Sequence, residues 1–174
     1  MNSIVLLKHW QSLSPIEQAA VLNLNVTVQQ IEFAGTVERS VQTCQEDQVN
    51  EVAGLAIMQE NSVAGFLLLR RGSSAPLWAG SGVVAISAMR IDLSQQGKGL
   101  GSAALRAVPD WLVAHWPESK EIRLSVDEDN QLARNAYARA GFADLCIREE
   151  GRIGWVRYMS RPVERANARE PVPC

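Results

Sequence analysis

Three glycines, Gly97, Gly99 and Gly101, fall within five residues of the segment RIDLSQQGKGLGSAALRAVPDWL at positions 90–112. A strand-like apolar run precedes them and a helix-like run follows. A helix start exposes unpaired backbone N–H groups and the positive end of the helix dipole, which together suit an anion, phosphate above all. Glycine allows a positive φ and lets the backbone approach such a ligand closely. Lys98 adds positive charge. The plainer alternative is a tight turn whose glycines serve geometry alone. Either way the chain must deliver a strand end and a helix start to one place.

The rest of the chain reads as an α/β alternation around that point. SPIEQAAVLNL begins a helix: Ser14 caps it, Pro15 suits its first position and Glu17 completes a capping box. GTVERSVQTCQED forms a second helix capped by Thr36, with Val37, Val41 and Cys44 on one face. The period then changes. Residues 51–59 and 62–71 are strands about a turn at Glu60 and Asn61. Residues 72–82, with Trp78, form a loop. VVAISAMRI, residues 83–91, is nearly continuous in apolar character, as a central strand buried on both faces would be. A helix follows from Leu100 to Trp116, with Pro109 as a kink and Pro117 as its end. Residues 121–126 are a strand. NQLARNAYARAG is a helix with Asn130 as cap and Gly141 as terminator. FADLCIRE and IGWVRYMSR form a hairpin about residues 150–152. The expected domain spans 1–160, and 161–174 is a polar, Pro-containing tail draped on the surface.

Two familiar phosphate loops fail here. A P-loop needs Gly at position 92, which is Asp92, and Ser or Thr at 99, which is Gly99. A dinucleotide fingerprint needs Gly at 102, which is Ser102. The pattern that fits is Gln/Arg-x-x-Gly-x-Gly/Ala, met by Gln96, Gly99 and Gly101. A second block, LSVDEDNQLARNAYARAGF at 124–142, supplies a strand, an Asn, a helix carrying Ala and Tyr, and then Gly-Phe. The spacing of 34 positions from Gln96 to Asn130 leaves room for one helix and one strand. With these two blocks the chain resembles the GNAT superfamily of N-acetyltransferases. The resemblance covers about residues 15–160, with sharp motifs at 89–142. VLNLNVTVQQIEFAG and RIDLSQQGKGLG look nearest to bacterial spermine/spermidine acetyltransferases and their relatives. Those relatives often carry an acid in the fourth strand, where this chain has Ser87.

The resemblance implies a mixed, mostly antiparallel sheet of about six to seven strands with helices on both faces. It implies acetyl-coenzyme A as cosubstrate, with the pyrophosphate on Gln96, Gly97, Lys98, Gly99, Leu100, Gly101 and Ser102. Met89, Arg90 and Ile91 would offer backbone groups to the pantetheine arm, one N–H polarising the thioester carbonyl; ordinary strand is the alternative. Asn130, Ala133 and Tyr137 share a helix face by their spacing. Ala133 leaves room for the cofactor, and Tyr137, whose phenol is protonated at neutral pH, would donate to the departing thiolate. A packed core tyrosine and a simple cap are the plain readings of Tyr137 and Asn130. The amine must lose a proton; Glu32 is the first candidate base, Asp127 the second, and a water chain an equal rival.

Charge and cysteine content narrow the setting. The formal charge is -2 with no block of like charges, which argues against nucleic-acid or membrane-surface partners. Cys44, Cys146 and Cys174 are odd in number and widely spaced, without zinc or disulfide patterning, which suits a reducing compartment. The apolar run at residues 4–7 is too short for a signal peptide or a span. A cytoplasmic, bacterial enzyme acting on a small-molecule amine is the expectation, and the C-terminal hairpin offers a homodimer contact. An acyl-coenzyme A sensor without catalysis and a peptide or protein acetyltransferase are the alternatives. His9 and His115 have no partners that suggest a metal or triad, and Ser14 and Ser87 lie in no nucleophile elbow. Trp78 is a loop anchor or a pocket wall.

Overall fold

The computed structural model describes residues 4–163. Seven strands form one sheet: β1 (Leu6–His9), β2 (Val52–Gln59), β3 (Ser62–Arg70), β4 (Val83–Ile91), β5 (Glu121–Asp127), β6 (Ala143–Glu150) and β7 (Trp155–Pro162). Their order is β1-β2-β3-β4-β5-β7-β6. The β4/β5 pair is parallel and every other pair antiparallel. The helices are α1 (Pro15–Leu22), α2 (Val28–Ala34), α3 (Val37–Gln45), α4 (Leu100–His115) and α5 (Gln131–Arg139).

The alternation of the strands explains both layers. Leu55, Ile57, Leu67 and Leu69 turn to one face and pack with Leu105, Val108 and Leu112 of α4. Their neighbours Ala56, Met58, Phe66 and Leu68 turn to the other and meet Val21 of α1 with Val37 and Val41 of α3. Successive residues of a strand point to opposite faces, so two buried faces require a continuous apolar run. β4 follows this rule only in its first half. Residues 83–86 are buried, whereas Ser87, Ala88 and Met89 are half-buried, because openings flank them.

Two elements go beyond the sequence expectation. β1 is four residues long and forms the sheet edge beside β2. α2 begins with its own capping box, in which Thr27 Oγ1 accepts from the Gln30 N–H and Gln30 Oε1 accepts from the Thr27 N–H. α4 runs through Pro109 without a break, since Pro109 is buried among Leu105, Val108 and Leu112, whose packing offsets the missing N–H. Asn130 caps α5 and Gly141 follows it at φ +89°. Residues 151–154 make the last turn, one residue longer than expected, and β7 reaches Pro162, past the expected start of the tail. The rest of the expected draped tail, residues 164–174 with Cys174, lies outside the described residues. Trp78 packs against Tyr158 with ring centroids 5.1 Å apart, and its carbonyl accepts from Arg123 Nη1 at 2.7 Å. It anchors its loop to the sheet. His115 stacks on Trp111 at 4.2 Å and His9 stacks on the same ring at 6.3 Å.

Candidate functional site

β4 and β5 pair through three positions only, Val83, Val84 and Ala85 opposite Glu121, Ile122 and Arg123. Beyond them the two strands part. On its other side β4 bulges: Leu68 faces Ser87 and Phe66 faces Arg90, so Ala88 and Met89 together oppose Leu67. Ala88 takes φ +52°, an uncommon conformation for a residue with a Cβ and one that a bulge imposes. The parted strands open a cleft of 360 Å³. Its walls come from Gln30 and Phe33 of α2, Met89 of β4, Asp127 of β5, Asn130 and Tyr137 of α5 and Arg152 of the last turn.

The glycine loop packs against β4 beside Met89, a residue of the cleft wall. Gly97 and Gly99 adopt φ +77° and +76°, and Gly99 caps α4 without a side-chain hydrogen bond. A Cβ on either would meet open space, so what these positions demand is the left-handed conformation, and outside them nothing crowds the backbone. The N–H groups of Gly97, Gly99, Leu100, Gly101 and Ser102 find no acceptor among the described residues. Gly101 lies against β4, where a Cβ would touch Met89 Cε at 3.5 Å and Ile91 Cγ1 at 3.7 Å. The loop is held from behind. Gln96 Nε2 donates to Ile91 O at 3.1 Å and to Gln30 Oε1 at 3.2 Å, and Gln30 Nε2 donates to Ile91 O at 3.2 Å. Asp92 accepts from the Asn25 and Ser94 N–H groups at 2.8 and 2.9 Å. Such a row of outward, unpaired N–H groups at a helix start accommodates a phosphate without rearrangement.

Asp127 and Tyr137 bring the titratable chemistry. Asn130 Oδ1 accepts from the Ala133 N–H at 3.0 Å, which fixes the first turn of α5 and sets Tyr137 two turns on. The Tyr137 hydroxyl has no hydrogen-bond partner among the described residues. Its pKa is raised by burial and then by the charge of Asp127. The Asp127 carboxyl is raised as well, by burial first and then by Asp129 and Glu32. A free hydroxyl and a carboxyl of raised proton affinity thus face one cleft.

A family model described as the acetyltransferase (GNAT) family matches residues 24–142, from the start of the α2 region to the end of the second motif block. The chain belongs to the GNAT acetyltransferase family. As a GNAT enzyme it is an acyltransferase with acetyl-coenzyme A as its cosubstrate. No curated protein sequence matches it. Solved structures of other family members share the fold. An aminoglycoside acetyltransferase AAC(6')-Ib, solved with coenzyme A, is 20% identical at TM-score 0.65, over 91% of this chain and 94% of that one. Spermidine N-acetyltransferase from Vibrio cholerae, solved with coenzyme A and spermine, is 17% identical at TM-score 0.70, over 92% and 96%. An acetyltransferase from Thermus thermophilus is 18% identical at TM-score 0.63, over 93% and 99%.

Within this GNAT fold the residues singled out from the sequence divide into groups. Met89, Asn130 and Tyr137 line the cleft. Residues 97–102 do not line the cleft but adjoin it where Gly101 packs against Met89, and Lys98 Nζ donates to Gln95 Oε1 at 2.9 Å. Ile91 offers its carbonyl inward, to Gln30 and Gln96. The Gln96 side chain is a strut for the loop and faces away from its N–H row. Ala133 packs on the core that α4 and α5 cover. The Arg90 side chain turns away from the cleft. It is 2% exposed, beneath α2 and α3, where Nη2 donates to Ala34 O and Ser40 Oγ, both at 2.9 Å, and Nε to Ala88 O at 3.1 Å. Burial lowers its pKa to about 10, against the charge of Glu38, so it stays cationic at neutral pH. Glu32 is exposed and lines a neighbouring cavity, while Asp127 lines the cleft itself. Gln30 and Arg152 were not singled out from the sequence. Gln30 carried a signal, the Thr27-x-x-Gln30 capping box; Arg152 carried none, because its place depends on how the last turn folds back over α2. No helix among the described residues is long and apolar enough to cross a membrane.

Proposed function

We propose that the protein transfers an acetyl group from acetyl-coenzyme A directly to an amine of a small molecule, in the cytoplasm where that cosubstrate is made. The observation that carries this reading is the set of N–H groups of Gly97, Gly99, Leu100, Gly101 and Ser102 without an acceptor among the described residues, on a loop packed against Met89 of the cleft that Asp127 and Tyr137 share. Residues 97–102 hold the pyrophosphate, and the unpaired edge of β4 around Met89 lies along the pantetheine arm. Acetyl-coenzyme A supplies a thioester whose carbonyl carbon gains a bond to the acceptor nitrogen while its carbon–sulfur bond breaks and the sulfur leaves with the electron pair. Asp127 accepts the proton that the attacking ammonium must lose. Its raised pKa makes it a better base near neutrality than an ordinary carboxylate, and Glu32 contributes by its charge. The Tyr137 hydroxyl, protonated across the neutral range, gives its proton to the departing sulfur. The nitrogen sheds its second proton as the amide forms, which through water restores the hydroxyl of Tyr137, and Asp127 passes the first proton to solvent.

Isothermal titration with acetyl-coenzyme A tests the reading, with Gly99→Glu beside the wild type. Micromolar binding that the variant loses is the expected result. A folded wild type that binds no acetyl-coenzyme A would overturn it.

A further inference from the structure

A second cavity, of 570 Å³, opens on the α2/α3 face of the sheet. Ser87 and Ala88 of the β4 bulge lie in its wall, and it shares Phe33, Ala34 and Arg152 with the cleft. Its charge is lopsided. Arg39 of α3, Arg70 of β3 and Arg152 stand around it against one carboxylate, Glu32. Arg39 and Arg70 form no ion pair among the described residues. Arg152 donates to the backbone carbonyl of Glu32 and leaves its carboxylate unpaired.

Unmet hydrogen-bonding capacity gathers at the same place. Among the described residues, four buried side-chain polar atoms lack a partner: Arg70 Nε, Ser87 Oγ, Arg90 Nη1 and Arg134 Nε. Arg70 and Ser87 line this cavity, and the other guanidinium nitrogen of Arg90 is bonded to Ala34 and Ser40, two of its lining residues. These atoms are enclosed behind the cavity wall, so what a ligand there can reach is the outer guanidinium nitrogens of the lining arginines. Guanidinium groups match the oxygens of a carboxylate or a phosphate.

We propose that this cavity holds an anionic group of the acceptor, so that the amine acetylated by this enzyme carries a carboxylate or a phosphate at its far end. The proposal rests on the N-acetyltransferase reading above. The anion sits on the outer guanidinium nitrogens of Arg70, with Arg39 and Arg152 beside it, and the amine passes the bulge at Ala88 toward Asp127. A polycation such as spermine would meet three arginines in the same space, and like charges there disfavour it.

The test measures coenzyme A thiol release with matched acceptors: amino acids and dipeptides against their C-terminal amides, phosphoethanolamine against ethanolamine, and spermidine. The anionic member of a pair is expected to exceed its neutral partner at least 10-fold in kcat/KM. The carboxylate and phosphate pairs tell which anion is read. Arg70→Gln is expected to bring that ratio close to one, and Arg39→Gln, on the exposed surface of α3, to reduce it. Succinate and inorganic phosphate are expected to raise the thermal midpoint of the wild type and to do less for Arg70→Gln. Neutral members or spermidine used as well as anionic ones, or a preference untouched by both arginine variants, would overturn the proposal. So would wild type that binds acetyl-coenzyme A but shows neither turnover of the panel nor Arg70-dependent stabilisation by either anion. Anion stabilisation that depends on Arg70 in a protein that binds no acetyl-coenzyme A would sink the transferase reading and leave the anion site standing.

Discussion

Tyr137 and Asp127 face one cleft without a hydrogen bond between them, and burial followed by the Asp127 charge raises the proton affinity of the Tyr137 hydroxyl. A phenol placed this way holds its proton until something nearby becomes more basic. Tyr137→Phe removes one oxygen and keeps the ring near Phe142, 6.4 Å away. The expected result is a fall in kcat of about 100-fold, typical of a lost general acid, with little change in acetyl-coenzyme A affinity. Steady-state kinetics beside titration calorimetry check it, and a packing role alone would leave kcat almost intact.

On the proposed mechanism, Asp127 sets the acid side of the pH–rate profile. Its folded pKa is raised, so the basic form appears only as pH rises through that raised value, and the rate climbs with it. Asp127→Asn is expected to abolish this limb. Glu32→Gln removes one of the charges that raise Asp127 and is expected to shift the limb to lower pH. The same shift has a consequence for stability. A carboxyl with a raised folded pKa holds more proton in the native than in the unfolded state, and its favourable contribution is lost as pH rises through the folded value. Asp127→Asn is therefore expected to raise the thermal midpoint at pH 7 relative to wild type, with the gain shrinking toward pH 4.

Gly99 and Gly101 separate conformation from space. Gly99→Ala places a side chain at φ +76°, in open surroundings, and is expected to cost about 1 kcal/mol through the left-handed backbone alone. Gly101 has helical geometry, and its added Cβ would make ordinary contacts with Met89 and Ile91. Gly101→Ala is expected to gain about 0.5–1 kcal/mol from helix propensity. Urea unfolding of the two variants reads the opposite signs.

Arg90 joins β4 to α2 and α3 from below. Arg90→Ala leaves the Ala34 carbonyl and the Ser40 hydroxyl without their charged donor and opens a cavity. A loss of about 3 kcal/mol in unfolding free energy is expected, the scale of a severed buried network.

Local chemistry made much of this readable before the coordinates. The Ser14 and Thr36 caps, the apolar runs of β2, β3 and β4 and the Gly141 terminator each act within a few residues, so short windows contain them. β1 escaped because four residues at a sheet edge owe their extended form to β2 rather than to their own pattern. α2 escaped despite its capping box, because seven residues with no buried side chain show no helical stripe. The bulge at Ala88 left no mark in sequence, since alanine has no preference for a positive φ and the misfit between β3 and β4 imposes it. The candidate site divides in the same way. The loop at residues 97–102 announces itself by composition, whereas the arginines around Ser87 come from α3, β3 and the last turn and meet only in three dimensions.

The three-position seam between β4 and β5 also bears on how the molecule comes apart. On one side of it, β1 to β4 are sequential antiparallel neighbours, joined by the α1–α3 segment, a tight turn and the loop at 71–82; on the other, β5, β7 and β6 pair antiparallel among themselves. Few backbone bonds tie the halves, so much of their union rests on α4 and on whatever fills the gap. The amides of the two halves are then expected to exchange with solvent as separate groups, and a cosubstrate lodged between them would act as a rivet, slowing exchange on both sides at once.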